Sequence, residues 1–171
     1  MSILETIKNR RSIRKFRPEP LPAEKVAKLQ EALIWAPSAG NLQARRFFFV
    51  YNDELKAKLA TAALKQQFVA TAPLVIVACA DRAIETRYGA RGINLYAIQD
   101  VAASIMGMML LAHAEGLGSC WVGAFHEDEV SRLLELPANL IPVALVPMGF
   151  PAKTPTPPPR VAVSEAIVEV R

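Results

Sequence analysis

Cysteine and histidine are scarce in this chain: two of each among 171 residues. Cys79 and Cys120 both sit inside apolar runs, and no second Cys or His stands at metal-ligand spacing near either. A disulfide scaffold and a zinc site are therefore poor readings, and a reducing cytoplasm is the expected setting. Neither His113 nor His126 neighbours a G-x-S-x-G pattern, so hydrolase chemistry of that type has no support. Also missing are G-x-x-x-x-G-K-S/T and G-x-G-x-x-G, which excludes a P-loop and a dinucleotide Rossmann fingerprint. Met1 to Glu5 lacks the features of a signal peptide, and no export is expected. Charge of one sign is not in large excess either. Twenty basic against sixteen acidic residues leave a net charge of +4. Much of that surplus lies in the first seventeen positions, which suits a local anion site better than a nucleic-acid-binding face.

What is present fits one globular domain. Hydrophobic residues make up 52% of the chain and charged residues 21%, enough to bury a core without staples. Ser2 and Glu5 form a capping-box pattern that predicts a helix over Ile3 to Asn9. Val26, Leu29, Leu33 and Ala36 recur at helical spacing, predicting a helix from Pro22 to Trp35 that Pro37 stops. Phe47 to Tyr51 and Leu74 to Ala80 read as strands, with a helix from Asp53 to Ala63 between them. Ser119 to Phe125 reads as a strand or strand-to-loop segment, Glu127 to Leu134 as a helix, and Ile141 to Phe150 as the last strand of the body. Strands and helices interleave, which gives an α+β or α/β layered domain.

From Leu95 to Glu115 the chain is apolar almost all round. A membrane span needs about 20 uninterrupted apolar residues, and Asp100, Ser104, His113 and Glu115 interrupt or bracket this one. A helix buried on all sides is expected instead, its second side against another subunit, with no membrane partner. The tail holds five prolines in the nine residues from Pro151 to Pro159, which forces an extended arm. Val161, Val163, Ile167 and Val168 beyond it read as strand-like sequence that packs at a distance.

Arg10-Arg11-Ser12-Ile13-Arg14-Lys15-Phe16 is the segment richest in chemistry. Guanidinium groups offer planar pairs of N–H donors to a phosphate and stay charged at any working pH. On an extended backbone Arg10, Ser12 and Arg14 share one side. A solvated basic loop is the competing reading, and for a charge run alone the commoner one. Ser38, Asn41 and Gln43, in a turn-forming stretch after Pro37, can donate and accept toward a polyol or heterocycle edge. Gly123 lets a flat ligand approach the backbone, although Cys120 to Phe125 is equally ordinary core sequence.

In order, Arg10 to Phe16, Ala36-Pro37-Ser38-Ala39-Gly40-Asn41-Leu42-Gln43, Gly116-Leu117-Gly118-Ser119-Cys120-Trp121-Val122-Gly123, Met148-Gly149-Phe150-Pro151 and Pro159-Arg160 resemble the FMN-dependent nitroreductase family. The resemblance implies an α+β, three-layer fold with a central, mostly antiparallel sheet flanked by helices, in an intertwined homodimer. It implies an FMN-binding domain over residues 1–150, with residues 151–171 as a proline-rich arm of the same domain. By similarity, Arg10, Ser12 and Arg14 hold the FMN phosphate and ribityl chain, Arg11 contacts nearby, and Arg160 closes on the same phosphate. Pro37, Ser38, Ala39 and Asn41 come from the partner subunit to line the ring, with Gln43 close by. Val122 and Gly123 sit against the isoalloxazine, Gly123 offering its N–H toward N5. No side chain is expected to be catalytic. NADH or NADPH passes hydride to flavin N5 and leaves, and an electron-poor small molecule such as a nitroaromatic or quinone is reduced in its place. A flavin-storage protein without nicotinamide-driven turnover is the alternative. Two departures stand out. Many relatives have Pro-Trp after Gln43, whereas Ala44-Arg45-Arg46 here implies a more open and more cationic floor. Only Asp81 to Asn94 occupies the place of the longer helical lid of other members.

Overall fold

The computed structural model describes residues 2–171. The capping box forms as expected: the Ser2 hydroxyl accepts from Glu5 N–H, and the Glu5 carboxylate accepts from Ser2 N–H, starting α1 (Ile3–Asn9). Behind Pro22 runs α2 (Ala23–Ile34). Then follow β1 (Arg45–Val50), α3 (Asp53–Ala62), α4 (Phe68–Thr71) and β2 (Leu74–Asp81). The stretch after β2 is helical: α5 (Glu85–Arg91) kinks at Gly89, where φ is +58°, and a π-turn over Gly92–Tyr96 leads into α6 (Ala97–Ala114). The chain closes with β3 (Gly118–Ser119), α7 (Glu127–Leu133), β4 (Leu140–Gly149) and α8 (Val163–Ala166).

The sheet has the order β1-β2-β4-β3 with every neighbouring pair antiparallel. Val77 at the middle of β2 faces Phe48 on one side and Leu145 on the other. Because side chains alternate along a strand, β2 feeds two cores. Leu74, Ile76, Ala78 and Ala80 pack with Leu29 and Leu33 of α2 and Val101, Ile105 and Met108 of α6. Val75, Val77 and Cys79 pack with Leu59 of α3 and Val130 of α7. The result is helices, sheet, helices: three layers. Each fully buried Leu, Ile or Met contributes about 1.5–3 kcal/mol of transfer free energy.

The segment Ser119 to Phe125 is strand-to-loop: Ser119 ends β3, Cys120 N–H donates to Pro147 O at 3.2 Å and Val122 bridges Leu145 before the chain leaves the sheet. The strand-like tail instead forms the single helical turn α8, exposed to solvent. Within one chain, helix α6 is buried on one side, and the side expected to meet another subunit is partly open. Val101, Ser104, Ile105, Met108 and Ala112 form a buried stripe, while Ile98 is 44% exposed and Gly107 is open. The helical stretch Arg82–Ala114 is long and apolar enough to cross a membrane by length and composition. In this fold the buried stripe of α6 is spent on β2 and α2.

The extended segment after α1 is seated by one close contact. Ile13, 4% exposed, donates its N–H to Ser119 O at 2.9 Å, and Ser12 bridges Ser119 in parallel. A Cβ on Gly118 would lie 2.6 Å from Ile13 Cγ1. The sequence therefore needs glycine at 118 to let this segment close on the sheet. Gly118→Ala is expected to destabilise the fold by about 1–3 kcal/mol through overpacking, read as a melting temperature lowered by roughly 2–4 °C per kcal/mol in a chain of this size.

Candidate functional site

Seating Ile13 inward turns its neighbours outward. Arg10, Arg11, Ser12 and Arg14 border a cavity of about 300 Å³ whose far wall is the arm, through Pro155, Thr156, Pro158 and Arg160. The arm is held at its root, where Phe16 bridges Pro151 and Ala152 N–H donates to Lys15 O at 2.9 Å. Residues about 150 positions apart thus meet because β4 ends beside the N-terminal segment. Among the described residues, none of Arg10, Arg11, Arg14 and Arg160 forms an ion pair. The four guanidiniums are not equivalent. Arg11 donates to Lys8 O at 2.6 Å and Arg10 O at 2.9 Å, so it partly caps the end of α1. Arg160 donates to Pro158 O and Pro159 O. Arg14 lies exposed with its guanidinium 5.7 Å from the Phe68 ring centroid.

Pro37, Ser38, Ala39, Asn41 and Gln43 form a second group, which does not border that cavity. Gly40, Asn41 and Gln43 have φ of +55°, +55° and +53°. Left-handed backbone at a non-glycine residue costs on the order of 1–3 kcal/mol unless its surroundings enforce it. Here they do. Ser38 Oγ accepts from Gln43 N–H at 3.1 Å, and Asp100 Oδ1 accepts from Ala39 N–H at 2.9 Å. Arg45 donates to Ile34 O at 3.0 Å, Ala36 O at 2.7 Å and Pro37 O at 3.0 Å. The Tyr88 hydroxyl of α5 lies against Gly40, where a Cβ would collide with it. Tyr88 in turn packs edge-on against Tyr96 at 5.4 Å, and Arg91 Nε donates to the Tyr96 hydroxyl at 2.9 Å. The expected open, cationic floor is corrected for Arg45. It is 5% exposed and caps the carbonyls that end α2, while Arg46 alone faces solvent. Asp100 and Tyr88 carried no motif in the sequence; a lone acid inside an apolar helix was the one signal for Asp100.

Val122 is 3% exposed and exchanges two backbone hydrogen bonds with Leu145, both 2.9 Å. Gly123 beyond it is exposed, and among the described residues nothing accepts from its N–H. Cys120 is buried close to Ser12. Burial pushes its thiol up, against the opposing pull of Arg14, Ser12 and Arg10. Burial likewise pushes the Cys79 thiol up to about 12. Neither is a thiolate nucleophile at neutral pH. No group of three or more His, Cys, Asp or Glu residues able to hold a metal occurs among the described residues. The arrangement can bind an anion on guanidiniums and a flat polar ligand on backbone and amide groups.

A three-layer α+β fold with these paired features has close counterparts. The Nitroreductase family model matches residues 7–69 and 61–150. The NADH dehydrogenase of Thermus thermophilus is 30% identical over 187 residues, covering 93% of this chain and 91% of that protein. The FMN reductase [NAD(P)H] of Bacillus subtilis is 28% identical over 173 residues, covering 92% and 69%. The crystal structure of nitroreductase A from Vibrio parahaemolyticus superimposes with a TM-score of 0.91 at 27% identity, covering all of this chain and 77% of that one. The chain belongs to the Nitroreductase family and is an oxidoreductase of that type.

His113, near the C-terminus of α6, borders a smaller cavity of about 150 Å³ together with Arg10, Arg11 and Ser119. Burial first, then the charges of Arg10 and Arg11, hold its imidazole below the ordinary value of 6.5. The unfolded chain therefore binds a proton at His113 more readily than the folded chain, and stability rises with pH through that window. As pH falls from about 7 through 6.5 and below, the wild type is expected to lose more stability than His113→Gln. Urea denaturation at several pH values measures the difference, and parallel curves for the two proteins would refute it.

Proposed function

We propose that this protein is an FMN-dependent NAD(P)H oxidoreductase that reduces electron-poor organic acceptors such as nitroaromatics or quinones. The observation that carries the reading is the convergence of Arg10, Ser12, Arg14 and Arg160 on one cavity, with no carboxylate among the described residues that line it. A phosphate fits that donor set, and relatives named FMN reductase match most of the chain. The flavin, when bound, supplies the chemistry: hydride from a nicotinamide at N5, then electrons to the acceptor in a ping-pong cycle. The chain's own residues bind and orient. Arg10, Arg14 and Arg160 donate to the phosphate, Ser12 adds a hydroxyl, and Arg11 holds the turn that presents them. Val122 and Gly123 would lie against the ring, where the N–H of Gly123, without a protein acceptor among the described residues, would be free to donate. No side chain need act as nucleophile or proton carrier.

The 37–43 loop completes the site from a second copy of the chain, in a homodimer. Support comes from the apolar surface that one chain leaves uncovered. Ile3 is 80% exposed, Trp35 78%, Val161 67% and Val168 84%, and the outer face of α6 carries Ile98, Met106 and Leu110. Apolar surface distributed over a helix face and two chain ends suits an intertwined pair of subunits. Residues 151–171 then serve as an arm of the same domain, and a reducing cytoplasm is the proposed setting.

Purified protein is expected to be yellow and to bleach when NADH or NADPH is added without oxygen. Colour that neither nucleotide bleaches would favour flavin storage. Arg14→Ala removes a charged hydrogen-bond donor worth about 1.5–3 kcal/mol, so FMN affinity should fall roughly tenfold to a hundredfold; full flavin occupancy would refute the site. Met106→Glu should convert a dimer to monomers in sedimentation velocity.

A further inference from the structure

The 37–43 loop is held from behind by two buried charged side chains. Arg45 and Asp100 are each 5% exposed. They do not form an ion pair with each other. Each instead bonds to backbone. Arg45 gathers the carbonyls of Ile34, Ala36 and Pro37, which fixes the entry to the loop. Asp100 accepts from Ala39 N–H, which fixes its middle. Ser38, bonded to Gln43 N–H, closes the exit. A helix end at the surface could be capped by water, and a buried charge costs desolvation unless its hydrogen bonds are met. What these two supply is a single geometry for Gly40, Asn41 and Gln43, all at positive φ.

We propose that Arg45 and Asp100 are positioning residues that fix the ring-facing loop, and so set the environment and reduction rate of the flavin ring, while phosphate capture is left to the Arg10 cluster. This rests on the FMN reading above. It predicts a separation of effects: phosphate-site changes release the cofactor, whereas clamp changes alter a cofactor that stays bound.

The test compares Arg45→Met, Asp100→Ala, Asp100→Asn and Ala39→Pro in the full chain. The last removes the N–H that Asp100 accepts while leaving both charged side chains in place; proline suits the first position of a helical turn, and Ser38 already has the extended backbone that precedes proline. In the FMN-free protein, amide exchange over residues 40–43 should accelerate at least tenfold in Arg45→Met, Asp100→Ala and Ala39→Pro. With FMN added, these variants should still bind it, with a displaced visible absorption band and midpoint potential. Their reduction by NAD(P)H should slow on the order of tenfold to a hundredfold. Asp100→Asn keeps an acceptor for Ala39 N–H and should restore most of the wild-type behaviour. Unchanged exchange and an unchanged flavin spectrum would overturn the proposal. So would a lowered melting temperature in Arg45→Met and Asp100→Ala with Ala39→Pro indistinguishable from wild type, since the pair would then only stabilise the fold. If the wild type fails to bind FMN, the functional reading falls, and the exchange data still decide whether the clamp exists.

Discussion

Burial of β2 on both faces is the constraint from which the site follows. Its eight residues run Leu74–Asp81, all but the last buried, with antiparallel partners on both edges. Such a strand cannot face water on either side, so α2 and α6 must cover one face and α3 and α7 the other. Each layer then contributes one wall. The face carrying α2 and α6 holds the 37–43 loop through Arg45 and Asp100. The end of β4, next to β2, meets the N-terminal segment and the root of the arm.

Function is distributed accordingly. The cationic cavity depends on Ile13 lying on Gly118, because that contact turns Arg10, Ser12 and Arg14 toward the arm. The polar loop depends on the end of α2. These two assemblies share no side chain and border different cavities. A ligand with a charged tail and a flat polar head would need both, and in the homodimer proposed above a second copy of the chain would supply the loop. The uncovered face of α6 is what one would expect of a helix shared in that way: one stripe committed to its own sheet, the other left for a neighbour.

Much of this was legible from local sequence. The helix Ile3–Asn9 followed from Ser2 and Glu5 and was found with those bounds, and the ends of α2 followed from Pro22 and Pro37. The pairing of Arg160 with Arg10 to Arg14 rested on family resemblance, and no periodicity would have given it, since it depends on how β4 delivers the arm. The segment Ser119 to Phe125 is the strand-to-loop form of its reading: Cys120 and Val122 still bond to β4, and the chain leaves the sheet directly afterwards. In the tail, Val163 to Ala166 turn helical although Val161, Val163 and Val168 have strand propensity, because within one chain they have no strand to pair with.

Arginine was the residue type that sequence could not sort. Arg11, Arg14 and Arg45 look alike in a composition count, yet each ends in a different role, and the deciding quantity is how many guanidinium donors find backbone carbonyls. Arg45 uses both terminal nitrogens on three carbonyls and becomes a buried clamp. Arg11 spends one nitrogen on two carbonyls at the end of α1 and keeps the rest free. Arg14 makes no hydrogen bond to the protein among the described residues and remains available to an anion. A helix end leaves a group of carbonyls unpaired, so Arg45, placed to reach one, is drawn inward, while Arg14, on an extended segment, keeps its donors free. The position of α2's end, set by Pro37, is therefore what turned Arg45 from a candidate for the floor of the site into a support beneath it.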